Sequence, residues 1–213
     1  MTPAEQSRRA AEICALAPVV PVLVIDRVED AVPLARALIA GGLPALEVTL
    51  RTPAALDAIR AMADVPGGMV GAGTLLSPAD VKAAKAAGAR FGVSPGATDR
   101  LLAACEEVDL PLLPGAATAT EVMALLEKGY TVQKFFPAEA AGGARALASI
   151  GAPIPQVRFC PTGGIGPKNV ADYLRLPNLL CVGGSWVAPK DLVASGDWDA
   201  IEALARTASA LPR

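Results

Sequence analysis

Short hydrophobic runs alternate with longer, alanine-rich amphipathic segments along most of this chain of 213 residues. The runs are spaced by about 19 to 27 residues, which is the length expected of one strand followed by one helix. Their aliphatic composition is typical of strands that are buried on both faces of a parallel sheet. The predicted strands begin near Val19, Pro44, Met69, Arg90, Pro111, Tyr130, Val157 and Leu179.

The segments between these runs have the signals of helix ends. Proline after a capping hydroxyl often begins them, as in Ser77-Pro78, and glycine often follows them, as at Gly88 and Gly129. The predicted helices span 29–40, 53–63, 78–87, 99–107, 119–128, 143–150, 167–174 and 198–210.

Eight strand–helix units predict an α/β protein, and more specifically a (β/α)8 TIM barrel that forms one domain over residues 1–213. The mixed-charge pattern at 1–17 predicts an extra N-terminal helix before the first strand, and not a signal peptide. An open doubly wound sheet is the alternative, but the even spacing of the units favours closure into a barrel.

Charge and hydropathy exclude several kinds of partner. The formal net charge is −2 and no long run of one charge occurs, so we expect neither nucleic acid nor an anionic membrane surface as a partner. No hydrophobic run approaches the roughly 18 residues that span a bilayer. We therefore expect a cytoplasmic protein.

The chain contains no histidine. This excludes Ser-His-Asp and Cys-His catalysis and removes the commonest ligands of zinc and iron, so we expect no metal and no cofactor in the chemistry. Acid–base work is then left to a carboxylate, a lysine or a tyrosine. Without any C-x-x-C spacing, the four cysteines are interpreted as buried thiols: Cys14, Cys105, Cys160 and Cys181.

Lys134 is the one lysine that the pattern places inside a strand, at 131–137. A lysine in a strand buried on both faces is costly unless it is paired or neutral. One interpretation is a lysine near a strand end that extends its charge to solvent. The other is a desolvated amine that forms a Schiff base with a carbonyl substrate.

Glu47 is the one acidic residue that the pattern places inside a strand, at 44–51. Period-two alternation puts Glu47 and Arg51 on one face and the leucines and valine of this strand on the other. The hydrophobic face is expected to pack on the helices, so Glu47 is expected to face the barrel axis. The alternative is a buried structural ion pair, which seldom compensates its own desolvation cost.

The strand predicted to end near residue 74 carries two glycines, Gly71 and Gly73. They resemble the start of a dinucleotide-binding G-x-G-x-x-G, but Leu76 stands where the third glycine belongs, so we do not favour a dinucleotide site. Thr74 supplies a hydroxyl at this strand end.

Paired glycines follow the last two predicted strands, and loops at these places commonly bind phosphate in α/β barrels. Glycine lets backbone N–H groups approach the phosphate oxygens, and neighbouring hydroxyls add donors. Tight turns alone are the alternative, but two pairs in these two loops favour a phosphate site. Its residues are Thr162, Gly163, Gly164, Gly184 and Ser185.

Taken together, the motifs resemble the 2-keto-3-deoxy-6-phosphogluconate (KDPG) and KHG/KDPG aldolase family through almost the whole chain. The lysine motif alone is already distinctive of that family. The matching motifs are LEVTLRT at 46–52, GAGT at 71–74, SPG at 94–96, KFFPAE at 134–139, RFCPTGGI at 158–165 and GGSW at 183–186.

This resemblance implies a class I (Schiff-base) aldolase of the Entner–Doudoroff pathway, usually a homotrimer, that takes a phosphorylated 2-keto acid and yields pyruvate and glyceraldehyde 3-phosphate. By position it implies that Lys134 forms the Schiff base and Glu47 is the acid/base, while Arg51 and Thr74 hold the pyruvyl carboxylate. The remaining substrate contacts expected within the motifs are Pro95 and Phe136.

Two rival functions remain open from the sequence. One is another phosphate-binding barrel enzyme without an imine, such as an epimerase or a synthase, which needs no strand lysine opposite a glutamate. The other is a non-catalytic barrel that binds phosphorylated ligands or acts as a structural partner. Neither rival needs Glu47 and Lys134 together.

Overall fold

The computed structural model describes residues 1–212 and has an α/β fold whose parallel strands curl into a half-barrel. Within these residues the strands are β1 (Val19–Leu23), β2 (Ala45–Thr49), β3 (Met69–Gly73), β4 (Gly92–Val93), β5 (Leu112–Leu113), β6 (Gly115–Ala116), β7 (Val132–Phe135), β8 (Arg158–Pro161) and β9 (Val182–Gly184).

The strands form two sheets that lie edge to edge and meet at Pro114 and between β8 and β9. The larger has the order β5-β4-β3-β2-β1-β9, and the smaller has the order β6-β7-β8. Only Pro114 separates β5 from β6, and its carbonyl accepts a hydrogen bond of 2.8 Å from the backbone N–H of Lys134. At the other end, an isolated parallel bridge between Thr162 and Gly183 joins the end of β8 to β9.

Helices follow the strands and cover their outer side. They are α1 (Pro3–Cys14), α2 (Ala31–Ala40), α3 (Ala55–Met62), α4 (Pro78–Ala86), α5 (Asp99–Glu107), α6 (Ala119–Glu127), α7 (Gly143–Gly151), α8 (Val170–Leu174), α9 (Lys190–Ser195) and α10 (Trp198–Ser209). Helix α1 precedes the first strand.

The predicted elements match these closely, apart from shifts of a few residues at several ends, a break at Pro114 and one unpredicted helix. The strand predicted at 44–51 ends at Thr49, because the chain turns there and the N–H of Arg51 donates to the carbonyl of Thr49 at 2.8 Å. The helix predicted at 167–174 begins only at Val170, since the turn before it is closed by Asn169, which accepts from the N–H of Gly166 at 2.8 Å. The short helix α9 lies in a segment for which we predicted none.

Alternate residues of each strand face two different cores. Leu46 and Val48 point outward into the large cluster shared with the helices, as the alternation in β2 predicts. Ala45 points inward with Val132 and Cys160 into a smaller cluster, which α1 completes by contributing Ala10, Ile13 and Cys14. Helix α1 therefore covers the end of the sheet from which the strands start.

Among residues 1–212, no helix combines the length and the hydrophobicity needed to cross a bilayer.

Candidate active site

The inward face of the sheets carries one buried pair of opposite charges. Lys134 of β7 and Glu47 of β2 come from different sheets, yet Nζ of the lysine lies 3.3 Å from Oε1 of the glutamate. Their side chains are 6% and 4% exposed. The structure thus brings together the two residues that the strand pattern singled out, and Lys134 is not extended toward solvent.

Gly73 of β3 makes room for the Glu47 carboxylate. The two strands pair with Glu47 beside Gly71 and Thr49 beside Gly73. A Cβ added at Gly73 would overlap the carboxylate, lying 2.7 Å from Cγ and 2.8 Å from Cδ of Glu47. Gly73 therefore leaves the space that Glu47 occupies, a role that we did not predict from the G-x-G pattern.

The surroundings of the pair tune its acid–base behaviour. Burial raises the pKa of Glu47, and the nearby Lys134 charge opposes this shift only in part. The carboxyl group is therefore a stronger proton acceptor than an exposed glutamate. Nζ of Lys134 lies over the aromatic ring of Phe136, 5.2 Å from the ring centre, so the amine faces an apolar surface on this side.

A cavity of about 800 Å³ opens at the ends of β1, β8 and β9. Phe136 lines this cavity and its ring centre lies 5.2 Å from Nζ of Lys134, whereas Lys134 and Glu47 do not line the cavity themselves. Arg51 is exposed and also lines the cavity, and its guanidinium group makes no ion pair with any of residues 1–212. An anionic ligand in the cavity would therefore meet a free positive charge.

All the residues predicted to hold phosphate line the same cavity: Thr162, Gly163, Gly164, Gly184 and Ser185. Gly163 and Gly164 have φ angles of 106° and 77°, in the left-handed region that favours glycine. Within the described chain, the backbone N–H groups of Gly163, Gly164 and Ser185 donate no hydrogen bond. Unpaired N–H groups around an open cavity are suited to an anion with several oxygens.

Two predicted contacts do not line the large cavity, Thr74 and Pro95. Both follow strand ends, after β3 and β4, on the far side of Glu47 from the glycine loops. Thr74 adopts a φ of 62°, which is uncommon for a residue with a β-branched side chain.

The cavity also has charged lining residues that we did not predict. Asp26, Arg27 and Asp30 follow β1, and Arg27 donates to both carboxylate oxygens of Asp30 at 2.9 and 2.7 Å. The signal was available, since charged residues directly after a hydrophobic strand lie at the end of a barrel that carries chemistry.

Comparison with known proteins places this geometry in a family. The family model described as KDPG and KHG aldolase matches residues 10–204. The chain belongs to the KDPG and KHG aldolase family. Among its relatives, the KHG/KDPG aldolase of Escherichia coli K12 is 53% identical over 200 residues, covering 93% of this chain and 94% of that protein. The 2-dehydro-3-deoxy-phosphogluconate aldolase of Pseudoalteromonas atlantica is 55% identical over 194 residues, covering 91% of this chain and 90% of that protein.

Crystal structures of the aldolase family superpose on the fold. The Zymomonas mobilis ZM4 KDPG aldolase, solved with 3-phosphoglycerate, is 51% identical, covers 97% of this chain and 98% of its own, and has a TM-score of 0.92. The Legionella pneumophila enzyme is 48% identical, covers 94% and 98%, and has a TM-score of 0.91. That structure holds pyruvate captured at low pH as a covalent carbinolamine intermediate.

Proposed function

We propose that this chain is a class I aldolase that cleaves 2-keto-3-deoxy-6-phosphogluconate to pyruvate and glyceraldehyde 3-phosphate through a Schiff base on Lys134. By the same chemistry it would cleave 4-hydroxy-2-oxoglutarate to pyruvate and glyoxylate. The observation that carries this proposal is the buried contact of 3.3 Å between the Lys134 amine and the Glu47 carboxylate. The chemistry named for the family's relatives and the carbinolamine of the Legionella protein support it.

The reaction begins with proton transfer within this pair. A proton passing from Lys134 to Glu47 leaves a neutral amine, and the raised pKa of Glu47 favours the transfer. The amine then attacks C2 of the keto acid, and the protonated Glu47 returns its proton as the carbinolamine loses water. The product is a protonated imine on Lys134.

Carbon–carbon cleavage follows from the same two groups. Glu47, again ionised, removes the proton of the C4 hydroxyl, and the electrons of the C3–C4 bond move onto the protonated imine. The aldehyde leaves, and the enamine left on Lys134 is reprotonated at C3 to the imine of pyruvate. Water then hydrolyses this imine, which frees pyruvate and the amine.

In this proposal, different groups bind the two ends of the substrate. Arg51 takes the carboxylate, since it presents an unpaired charge to the cavity. The amides of Gly163, Gly164 and Ser185, assisted by Thr162 and Gly184, take the phosphate. Thr74 at the carboxylate, with Pro95 and Phe136 framing the carbon chain, is proposed on the family motifs alone.

We further infer that the strands close into a (β/α)8 barrel over one domain, with β5 and β6 counted as a single strand interrupted at Pro114. The bridge between Thr162 and Gly183 supports closure on the other side. Helix α1 is then the extra N-terminal helix. The homotrimer and the cytoplasmic location remain predictions; sedimentation of the purified protein tests the first.

Trapping with pyruvate and borohydride tests the function. Reduction should add one pyruvyl group per chain, located at Lys134 by peptide mass spectrometry, and should abolish aldol cleavage. Lys134→Met keeps the length and loses the amine, so it should take up no label. Labelling of another lysine, or no label on the wild type, would contradict the proposal. So would the finding that the purified chain binds phosphorylated ligands but cleaves no 2-keto acid.

A further inference from the structure

Three of the four cysteines meet at the covered end of the barrel. Cys14 lies at the end of α1, Cys160 lies in β8, and Cys181 directly precedes β9. Their Sγ atoms all lie within 4.8 Å of one another, and those of Cys160 and Cys181 are 3.5 Å apart. All three are buried and none is in a disulfide.

The strand register brings two of these thiols together. Thr162 bridges to Gly183, and two residues earlier on each chain segment the same face carries Cys160 and Cys181. Helix α1 brings the third thiol, because its own polar side chains fix it to the strands. Gln6 accepts a hydrogen bond of 3.0 Å from the N–H of Leu112, and Ser7 accepts one of 3.0 Å from the N–H of Thr131.

The spacing of the sulfurs suits a tetrahedral metal ion. With Zn–S bonds of about 2.3 Å, sulfur ligands on a tetrahedron are about 3.8 Å apart. The contact of 3.5 Å and the upper limit of 4.8 Å bracket that value. No sulfur–sulfur distance therefore exceeds the tetrahedral value by more than about 1 Å.

A fourth position is available next to the thiols. A small cavity of about 10 Å³, close to the space for one water molecule, is lined by Cys14, Cys160 and Glu47 among otherwise apolar side chains. Three protein ligands and one water or carboxylate oxygen complete the four-coordinate shell that zinc prefers. Cys181 lies beside these two thiols but does not line the cavity itself.

We propose that Cys14, Cys160 and Cys181 form a binding site for a thiophilic divalent metal ion, with zinc as the preferred ion. Binding forms three metal–sulfur bonds and releases three thiol protons to solvent, with no change of oxidation state. The ion would fasten α1 to β8 and β9. It would lie away from the large cavity but beside the carboxylate of Glu47, so imine trapping on metal-free protein tests the aldolase chemistry separately from the ion.

Cadmium titration tests the site, because cadmium thiolates absorb in the ultraviolet through sulfur-to-metal charge transfer. Protein that is reduced, stripped with a chelator and kept free of oxygen should bind one Cd²⁺ per chain, and Zn²⁺ should displace the band. Uptake should be slow, or should require refolding with the ion, since the thiols are at most 3% exposed.

Variants of each cysteine make the result specific. Cys14→Ala, Cys160→Ala and Cys181→Ala should each weaken Cd²⁺ binding by at least about a hundredfold, because a direct ligand should contribute at least as much as the hydrogen-bond partner of a ligand does. Cys105→Ala is the matched control, since Cys105 is equally buried but lies on α5 outside the cluster, and it should bind as the wild type does.

Thermal unfolding gives a second readout. Zinc at a hundred times its Kd should raise the Tm of the wild type and of Cys105→Ala by about 5–10 °C, and should not raise that of Cys14→Ala. The proposal is overturned if refolding with Cd²⁺ gives no charge-transfer band, if Cys14→Ala binds like the wild type, or if Cys105→Ala loses the ion. Aldol cleavage by Cys14→Ala, measured in parallel, reports separately on the proposed function.

Discussion

Replacing Gly73 with alanine should displace the Glu47 carboxylate while leaving Glu47 itself unsubstituted. The added Cβ would lie 2.7 Å from Cγ and 2.8 Å from Cδ of Glu47, and closer still to Oε1. To restore ordinary van der Waals contact the carboxylate must move by about 1 Å, which takes it out of line with Lys134. The backbone at Gly73 itself is not in the left-handed region, so the change acts through this overlap and not through backbone strain.

The expected size of the effect follows from that displacement. A misplacement of about 1 Å costs about a hundredfold in rate, or about 2.7 kcal/mol of transition-state stabilisation. Overpacking should also lower the free energy of unfolding by about 1–3 kcal/mol. We therefore expect kcat for cleavage to fall about a hundredfold while the protein still folds, which steady-state kinetics and urea unfolding measure.

Two further variants separate this explanation from general damage. Gly71→Ala lies two residues earlier on the same face, and its Cβ would lie 2.5 Å from the Phe91 ring and not against Glu47. It should lose stability similarly but keep far more of the turnover. In a Glu47→Ala background the stability cost of Gly73→Ala should vanish, because the overlapping side chain is gone. Wild-type turnover in Gly73→Ala, or an unchanged cost in that background, would refute the reasoning.

Three other outcomes test the chemistry and the phosphate loops. Glu47→Gln keeps the size and loses the base, so turnover should drop by about 10²–10⁴ with the fold intact; near-normal turnover would exclude Glu47 as the proton shuttle. Ser185→Ala keeps the backbone N–H but removes the hydroxyl donor, so it should lower kcat/KM about ten- to a hundredfold for the phosphorylated substrate and hardly at all for an unphosphorylated 2-keto-4-hydroxy acid, with pyruvate trapping unchanged. Equal losses with both substrates would contradict the phosphate assignment. Prolonged chelation should leave cleavage unchanged even if it empties the cysteine site, and activity that returns only with added metal would place the enzyme in the metal-dependent class.

The sequence predicts those parts of the structure that depend on local periodicity. Alternation along β2 assigns Glu47 to the inward face, because strand geometry alone decides which face a side chain takes. Lys134 is singled out because it is the one lysine within a predicted strand. The family of the chain follows from the motifs around these residues, and the comparison confirms it.

Features that depend on how distant segments meet could not be predicted in this way. The cysteine cluster needs the register of β8 against β9 and the angle of α1, none of which is encoded in cysteine spacing. The role of Gly73 depends on the position of a side chain from the neighbouring strand. Thr74 and Pro95 show the reverse case, since a position after a strand end does not by itself bring a residue to the large cavity.

The ion pair at the centre of the site joins residues 87 positions apart in the chain, one from each sheet. Neither half of the chain contains both groups, so no partly folded form that lacks the second sheet has a competent amine. Imine trapping during refolding therefore measures the moment at which the two sheets meet, and comparison with the recovery of helical circular dichroism would separate early helix formation from association of the two sheets.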